Sequence, residues 1–476
     1  MKRFIEVMAR DQAVLFPDHL EDFVGEDNPV RAVDAFVEAL DLAELGFAGA
    51  ADTGRPGYHP SVLLKIYIYG YLNRIHSSRR LECEAGRNVE VMWLTGRLAP
   101  DFKTIADFRR DNGSAIRKVC RQFVGLCRQI GLLSGGEVAI DGSKFKAVNN
   151  RDRNFTPAKM QRRMADIEAS IDRYMSKLDA ADRDEPALPP AKVDRLQERI
   201  VTLKAQMVEL KAIERDMQKA PDKQISLTDP DARSMNYRGS GIVGYNIQTV
   251  VDTEHHLIVA HEVTTSGSDR SQLVEMSNVA REATGHDELR VIADRGYYSG
   301  EQLLECAQSG ITTLVPKPLT SSGTKRGMFA KQDFTFDAEN DLYICPAGET
   351  LTRGSHRSDR QGSINFYRNL MACATCRLKD RCTPLKQRRI RRWDHEDILD
   401  EVERRLDENP DAMRVRRSTV EHPFGTLKAW MGHTHFLTRT RPKVAAEMSL
   451  HILAYNLRRV LNIVGLGALM VALQSA

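Results

Sequence analysis

Two short apolar runs, Val138-Ala139-Ile140 and Val291-Ile292-Ala293, each lead straight into an aspartate, Asp141 and Asp294. Runs this short, bounded by glycine and polar residues, suit buried strands better than helices. Tyr245 to Val251 and Leu257 to Ala260 read as strands flanking a polar turn, Asp252 to His256. Leu273, Met276, Ala280 and Ala283 mark a helix, and Ser299-Gly300-Glu301-Gln302 has the form of a capping box opening another. Ile311 to Val315 is a further strand, closed by Pro316. Strands first, then helix and strand in alternation, predict a mixed α/β core.

The chain of 476 residues is long enough for a helical unit ahead of that core. Residues 1–130 are the expected helical N-terminal domain. Pro60 opens an amphipathic helix, and Trp93-Leu94-Thr95-Gly96 reads as a helix end with a glycine stop. Thr104-Ile105-Ala106-Asp107 has the form of a helix start, Asn112-Gly113 breaks it, and Ser114 reads as the cap of the next helix. The net charge of +4 hides a reversal: residues 1–60 carry 5 basic against 12 acidic side chains, residues 61–130 carry 13 against 6. Such a basic segment suits a polyanion, and two Arg-rich helices joined at a glycine permit a helix-turn-helix. Arg109 and Arg110 are its candidate DNA contacts; an ordinary helical bundle with solvated faces is the alternative.

Residues 131–476 are the expected second domain, with two insertions. In 151–235, Met160, Met164, Ile167, Ile171, Tyr174 and Leu178, then Val193, Leu196, Ile200, Leu203, Met207 and Leu210, repeat at spacings of 3 and 4 on either side of a break from Asp184 to Pro190. That pattern predicts an antiparallel helical hairpin, with a dimerising coiled coil as the alternative. Residues 317–410 hold four of the eight cysteines and a basic stretch, Arg377 to Trp393, with eight Lys/Arg and one acid.

Carboxylates at strand ends are rigidly held, which suits Mg²⁺ with its demanding octahedral oxygen shell. Two such ions can hold the attacking and leaving oxygens of an in-line phosphoryl displacement. An aspartate at a strand end is equally a turn residue or helix cap. A third carboxylate, Glu421, is spaced four residues after Arg417 and seven before Lys428, offsets close to one helical face. A surface ion-pair ladder has the same spacing. Pro423 opposes a helix interior there, and Ser418 with Glu421 also fits a capping box.

Taken together these stretches resemble the DDE transposases of bacterial insertion sequences, which carry a helical N-terminal domain ahead of an RNase H-like catalytic core. The resemblance rests on Ala139-Ile140-Asp141-Gly142-Ser143-Lys144, Ala293-Asp294-Arg295-Gly296-Tyr297 and Thr419-Val420-Glu421-His422-Pro423-Phe424-Gly425-Thr426-Leu427-Lys428. Pro100 to Arg109 and Ala454-Tyr455-Asn456-Leu457-Arg458-Arg459 are similar too. It implies that Asp141, Asp294 and Glu421 bind two Mg²⁺ or Mn²⁺ ions. It also implies cleavage and strand transfer at the terminal inverted repeats of an element, into target DNA; the need to bring two DNA ends together makes a homodimer the expectation. Arg295, Arg417 and Lys428 are the implied DNA contacts. Arg414 stands where the family's signature has a tyrosine. A transposase-derived DNA-binding protein that no longer cuts, and a general RNase H-like nuclease, are the competing functions.

Cys345, Cys373, Cys376 and Cys382 include one Cys-x2-Cys pair and are candidate ligands of a structural Zn²⁺, with free buried thiols as the alternative. Cys83, Cys120, Cys127 and Cys306 read as small core residues. Met1-Lys2-Arg3 is not followed by an apolar signal core, and the apolar stretch Val460 to Leu473 contains Asn462 and is short for a membrane span. The expectation is a cytoplasmic protein, nucleoid-associated when acting, with a buried C-terminal helix and no membrane partner.

Overall fold

The computed structural model describes residues 19–47, 57–181, 189–237, 239–318, 326–359 and 362–475. The Met1-Lys2-Arg3 segment and all but the end of the Asp184–Pro190 break lie outside them.

The N-terminal part is helical: α1 (Val30–Glu38), α2 (Pro60–Leu72), α3 (Ser78–Ala85), α4 (Val89–Thr95), α5 (Phe102–Asp111) and α6 (Gly113–Gln129). The helix α2 is buried on every side from Leu63 to Leu72, not amphipathic. Even Lys65 is inside, held by Asp34 and Glu38 of α1 at 2.7 and 2.6 Å. The helix α4 does stop at Gly96, whose φ of 60° is left-handed. The start of α5 is capped by Asp101, which accepts from the Lys103 and Thr104 amides, and not by Thr104. Asn112 alone joins α5 to α6, and Ser114 lies inside the first turn of α6 without capping it. A joint this short differs from the turn of about three to four residues in a DNA-binding helix-turn-helix. The two helices pack instead into the apolar core through Ile105, Phe108, Ile116, Val119 and Phe123.

The sheet is built on β1 (Glu137–Lys146). Its other strands are β4 (Arg233–Tyr237), β5 (Ser240–Asp252), β6 (Ile258–Thr264), β7 (Arg290–Ile292) and β8 (Thr312–Leu314). Across the sheet the order is β6-β5-β1-β7-β8, with β4 also paired to β5. The strand β1 runs antiparallel to β5 and parallel to β7, and β7 is parallel to β8. Helices α9 (Leu273–Thr284) and α10 (Gly300–Gln308) fill the crossovers between β6, β7 and β8. Ser299 precedes α10 without making the expected cap bond; Gln302 reaches across to accept from the Val274 amide.

Near the C-terminus, α13 (Ala412–Gly425) passes into a π turn, Thr426–Trp430, and the chain closes with α14 (Arg441–Ser475). The Tyr455-Asn456-Leu457-Arg458-Arg459 run of α14 is a clamp. Asn456 pairs with both the amide and the carbonyl of Ile258, at 2.9 and 2.8 Å. Tyr455 and Arg459 donate to the carbonyls of His256 and His255, and Arg458 to that of Leu72. The apolar core therefore runs without a gap from α2 and α6 through α14 to the sheet. Burial in α14 is densest from Val444 to Leu457. Beyond it the expectation of a buried helix gives way: Gly465, at φ 78°, interrupts the helix, and Asn462, Gly467, Ala468 and Val471 are exposed. By length and composition alone Arg441–Gln474 could cross a membrane, but the core seats its first half.

Of the two insertions, the first holds α7 (Pro157–Ala181) and α8 (Pro190–Lys219), closed at the base by β2 (Asn154–Phe155) pairing with β3 (Ile225–Ser226). Met160, Ile167, Met207, Leu210 and Met217 form a cluster separate from the main core. Arg163 and Ile167 lie beside Gln206 to Ile213, so the helices run antiparallel. The second insertion is a five-stranded antiparallel sheet, which the composition did not foretell. Its strands are β9 (Thr335–Asp337), β10 (Leu342–Ile344), β11 (Thr350–Asp359), β12 (Gly362–Arg368) and β13 (Arg389–Trp393), with a short α11 (Leu370–Ala374) before β13. Phe334, Tyr343, Leu351, Tyr367 and Ile390 make its small core, and α12 (Glu396–Glu408) leads back to α13. Cys120, Cys127 and Cys306 are buried as expected; Cys83 is exposed.

Candidate active site

Asp141 does not end its strand. β1 continues to Lys146 because β5 pairs it along its whole length, Asp141 facing Thr249. The parallel pairing to β7 stops two residues earlier, at Ala139 and Ile292. Asp141 thus sits where its neighbour has just ended. Asp294 leaves that neighbour and accepts from the Gly296 amide at 2.7 Å, capping a short turn. Parallel adjacent strands bring the two carboxylates to one edge.

Between them lies Arg416 of α13. Its Nη2 is 2.7 Å from Asp141 Oδ1 and 3.5 Å from Asp294 Oδ2. Neither contact lies along an N–H direction, so this is an ion pair without a hydrogen bond. Burial pushes the Asp141 carboxyl up to about 6; Arg416 opposes the rise, while Asp294 and Asp269 add to it.

Asp269, on the loop before α9, is a third carboxylate here. Its Oδ1 accepts from Asn246 Nδ2 at 2.7 Å and Gln248 Nε2 at 2.6 Å. The Tyr297 hydroxyl donates to Gln248 Oε1, orienting that amide. Burial first, then Asp269, Asp141 and Asp294, raise Tyr297 far above the usual phenol range, so it stays a donor. Gly142 and Gly296 keep this space open. A Cβ on Gly142 would lie 2.6 Å from Asp269 Oδ1 and 2.5 Å from Gln248 Nε2; one on Gly296 would lie 2.9 Å from Asp294 Oδ1.

Arg417 and Glu421 lie four residues apart on α13, as the spacing predicts, but Lys428 lies beyond it. Helix α13 runs through Pro423, which removes the capping-box reading; Ser418 is mid-helix and bonds back to the Val415 carbonyl at 2.9 Å. The π turn after Gly425 then breaks the regular helical spacing before Lys428. Lys428 donates to Ser143 Oγ at 2.7 Å and the Lys144 carbonyl at 3.1 Å, beside the ring of Phe145. Arg417 and Glu421 are exposed. Among the described residues, neither Glu421 nor Asp269 forms a trio with Asp141 and Asp294 whose ligand atoms all lie within 4.8 Å of one another. Arg414, at the family's tyrosine position, pairs with Asp411 on the surface.

Of the other candidate DNA contacts, Arg295 is exposed beside Asp294, and Arg110 is exposed but paired with Asp107 and Asp111. Arg109 is not a surface residue. It is 9% exposed, donates to the Tyr71 hydroxyl at 2.8 Å and lies over the ring of Tyr67. Its position one turn from the end of α5 points it into the core.

Burial raises the Cys382 thiol, with Cys373, Cys345 and Cys376 adding to the rise. Among the described residues, no three of these four sulfurs lie within 4.8 Å of one another.

Sequence reasoning passed over Arg416 and Asp269. Arg416 was one of several arginines in a basic helix, and Asp269 one polar residue in a serine-rich loop. The only signal was proximity to the motifs, which a sequence does not rank.

Residues 212–457 match the family model described as Transposase DDE domain. Residues 18–111 match a second, described as Transposase domain (DUF772). No curated protein matches the chain. Among solved structures, a piggyBac transposase synaptic complex with hairpin DNA, determined by cryo-EM, aligns over 94% of this chain and 79% of that one, at 8% identity and a TM-score of 0.34.

Proposed function

The chain belongs to the DDE transposase family, and from that premise we propose that Asp141 and Asp294 are the metal-binding pair of its DNA-cleaving centre. It is a transposase, an enzyme that cuts and joins DNA strands with divalent metal. The observation that carries the assignment is the pair of aspartates on either side of one guanidinium. A positive group already balances them, in a setting of oxygen donors that suits a hard cation. Mg²⁺ or Mn²⁺ would be held by Asp141 and Asp294, and when bound would activate the attacking oxygen and stabilise the leaving one.

The protein's own groups do the rest. Arg416 neutralises the carboxylates before metal arrives and must move aside for it. Arg295 and Arg417, exposed near the pair, hold backbone phosphates. Lys428 fixes the strand beyond Asp141. In the first step, water forms a P–O bond as the bond to the 3′ oxygen breaks, and that oxygen leaves as a 3′-OH. In the second, this hydroxyl attacks a target phosphodiester, and the target's own 3′ oxygen leaves with the proton. The proposed substrates are the inverted repeats at an element's ends and a target duplex, bridged by a homodimer. An RNase H-like core is consistent with the order β6-β5-β1-β7-β8, three antiparallel strands followed by two parallel ones. Cys345, Cys373, Cys376 and Cys382 would be the ligands of a structural Zn²⁺ in the second insertion.

The third ligand has two candidates. Glu421 has the family pattern and sits on the helix that carries Arg416; Asp269 is already in the cluster. The test compares full-length D141N, D294N, E421Q and D269N in Mg²⁺-dependent cleavage of inverted repeats flanking the gene, with DNA binding measured alongside. D141N and D294N should lose ~10³-fold or more, roughly 4 kcal/mol, while still binding. Full cleavage by either removes that aspartate from the site. Loss in E421Q with activity in D269N assigns Glu421; the reverse assigns Asp269.

A further inference from the structure

A second group of metal-ligating side chains lies away from the carboxylate site. Glu447 and His451 are one turn apart on α14, and His433 comes from the segment between the π turn and α14. Their ligand atoms all lie within 4.8 Å of one another. All three are inside the protein, with exposures of 0%, 0% and 2% for Glu447, His451 and His433. The His433 and His451 rings are 3.5 Å apart, and His76, from the turn after α2, lies 4.7 Å from His451.

The imidazoles are unpartnered. Both ring nitrogens of His451, and Nε2 of His433 and of His76, lack a hydrogen bond and are shielded from solvent. A neutral imidazole has one donor and one acceptor, and burying either without a partner costs about 1–3 kcal/mol. Several orphan nitrogens at one point therefore call for a shared partner. Glu447 is already oriented. Its oxygens accept from the Leu437 amide at 2.9 Å, the Thr438 amide at 2.9 Å and the Thr438 hydroxyl at 2.6 Å. Carboxylates held in this way are typical of metal ligands supported by a second layer of hydrogen bonds.

We propose that His433, Glu447 and His451 bind a zinc-class transition-metal ion, with His76 the nearest source of a fourth ligand. Imidazole nitrogen with one carboxylate suits Zn²⁺, whereas Mg²⁺ prefers oxygen alone. The ion is structural. It fastens the segment after Lys428 to α14, beside the N-terminal helices. That segment also grips the far end of β1, where the Phe436 amide donates to the Lys146 carbonyl at 2.9 Å and His435 pairs with Lys146. The ion thus braces the strand that carries Asp141.

The test uses the full chain with C373S and C376S, which removes the thiol site, after dialysis against excess Mg²⁺ to clear the carboxylates. Elemental analysis should find about one zinc per chain, and X-ray absorption a shell of nitrogen and oxygen with imidazole scattering and no sulfur. His433→Gln or His451→Gln should lose that zinc. Failure of the starting chain to retain zinc overturns the proposal, as does equal zinc in the two histidine variants. If the variants do not fold, the absorption spectrum of the starting chain decides alone: a sulfur shell or carboxylate-only coordination overturns it. None of these readings depends on DNA cleavage, so the assignment of Asp141 and Asp294 stands or falls separately.

Discussion

Arg416 sits between the two aspartates to which a metal is assigned by proposal. Two carboxylates at one edge repel each other, and the guanidinium between them relieves this in the metal-free protein. On the proposed assignment the same contact would compete with metal. Arg416→Gln should therefore destabilise the metal-free protein, by about 3 kcal/mol if the pair behaves as a buried one, and should widen the stabilisation gained from Mg²⁺. Thermal unfolding with and without Mg²⁺ reads both effects; an unchanged Mg²⁺ increment would show that Arg416 does not occupy the metal's place. Gly142 belongs to the same geometry, since only a residue without a Cβ lets Asp269 and Gln248 approach β1. At this scale the motifs picked out Asp141 and Asp294, which the fold brings to either side of Arg416. They misplaced Arg109, because an arginine in a basic stretch looks the same whether it faces solvent or a pair of tyrosines.

At the scale of elements, the contact between β6 and α6 holds a pH-sensitive group. His261 of β6 is half-buried, its Nε2 2.9 Å from the Ser449 hydroxyl of α14, with Arg117 and Arg121 of α6 on one side and Glu262 on its own strand. Burial, then Arg117, pushes its imidazole down to about 4. The folded protein therefore holds His261 neutral where the unfolded chain would protonate it. The stability this withholds is complete above about pH 6.5 and drains as pH falls toward 4, by up to about 3 kcal/mol. His261→Gln should flatten that acid limb in denaturant titrations across the window. An identical slope in the variant and the parent would refute this account. Elements also show why helix ends were misread. Thr104 and Ser114 have capping chemistry, yet Asp101 and Asn112 hold the cap positions. Pro423, expected to stop a helix, is carried through α13 and followed by a π turn instead. Local rules give the candidates; the neighbours that bury one face choose among them.

For the whole molecule, the separate cluster inside the α7–α8 hairpin matters most. Its apolar contacts are among its own residues, and the paired β2 and β3 bring its ends together. Replacing residues 157–219 with a short Gly-Ser turn should leave the remaining fold with a cooperative melt, since the continuous core from α2 to α14 is untouched. Light scattering on the same variant tests the coiled-coil alternative. A wild-type dimer that becomes monomeric would place the interface on the hairpin, and an unaltered dimer would place it elsewhere. Loss of the cooperative melt would mean that the hairpin supports the core after all.

The sequence by itself determined the strands and helices of the core around Asp141 and Asp294, and where the heptad hairpin interrupts it. Those follow from local periodicity and from short motifs, which carry their meaning within a few residues. The tertiary structure alone decided that Arg416 lies between that pair, that Asp269 bonds Asn246 and Gln248 beside Gly142, that Arg109 turns inward, and that His76, His433, Glu447 and His451 meet. Each of these depends on contacts between segments far apart in the chain. Side chains of one type are alike in sequence; burial and neighbouring charge, set only once the sheet and α14 close around them, make them different.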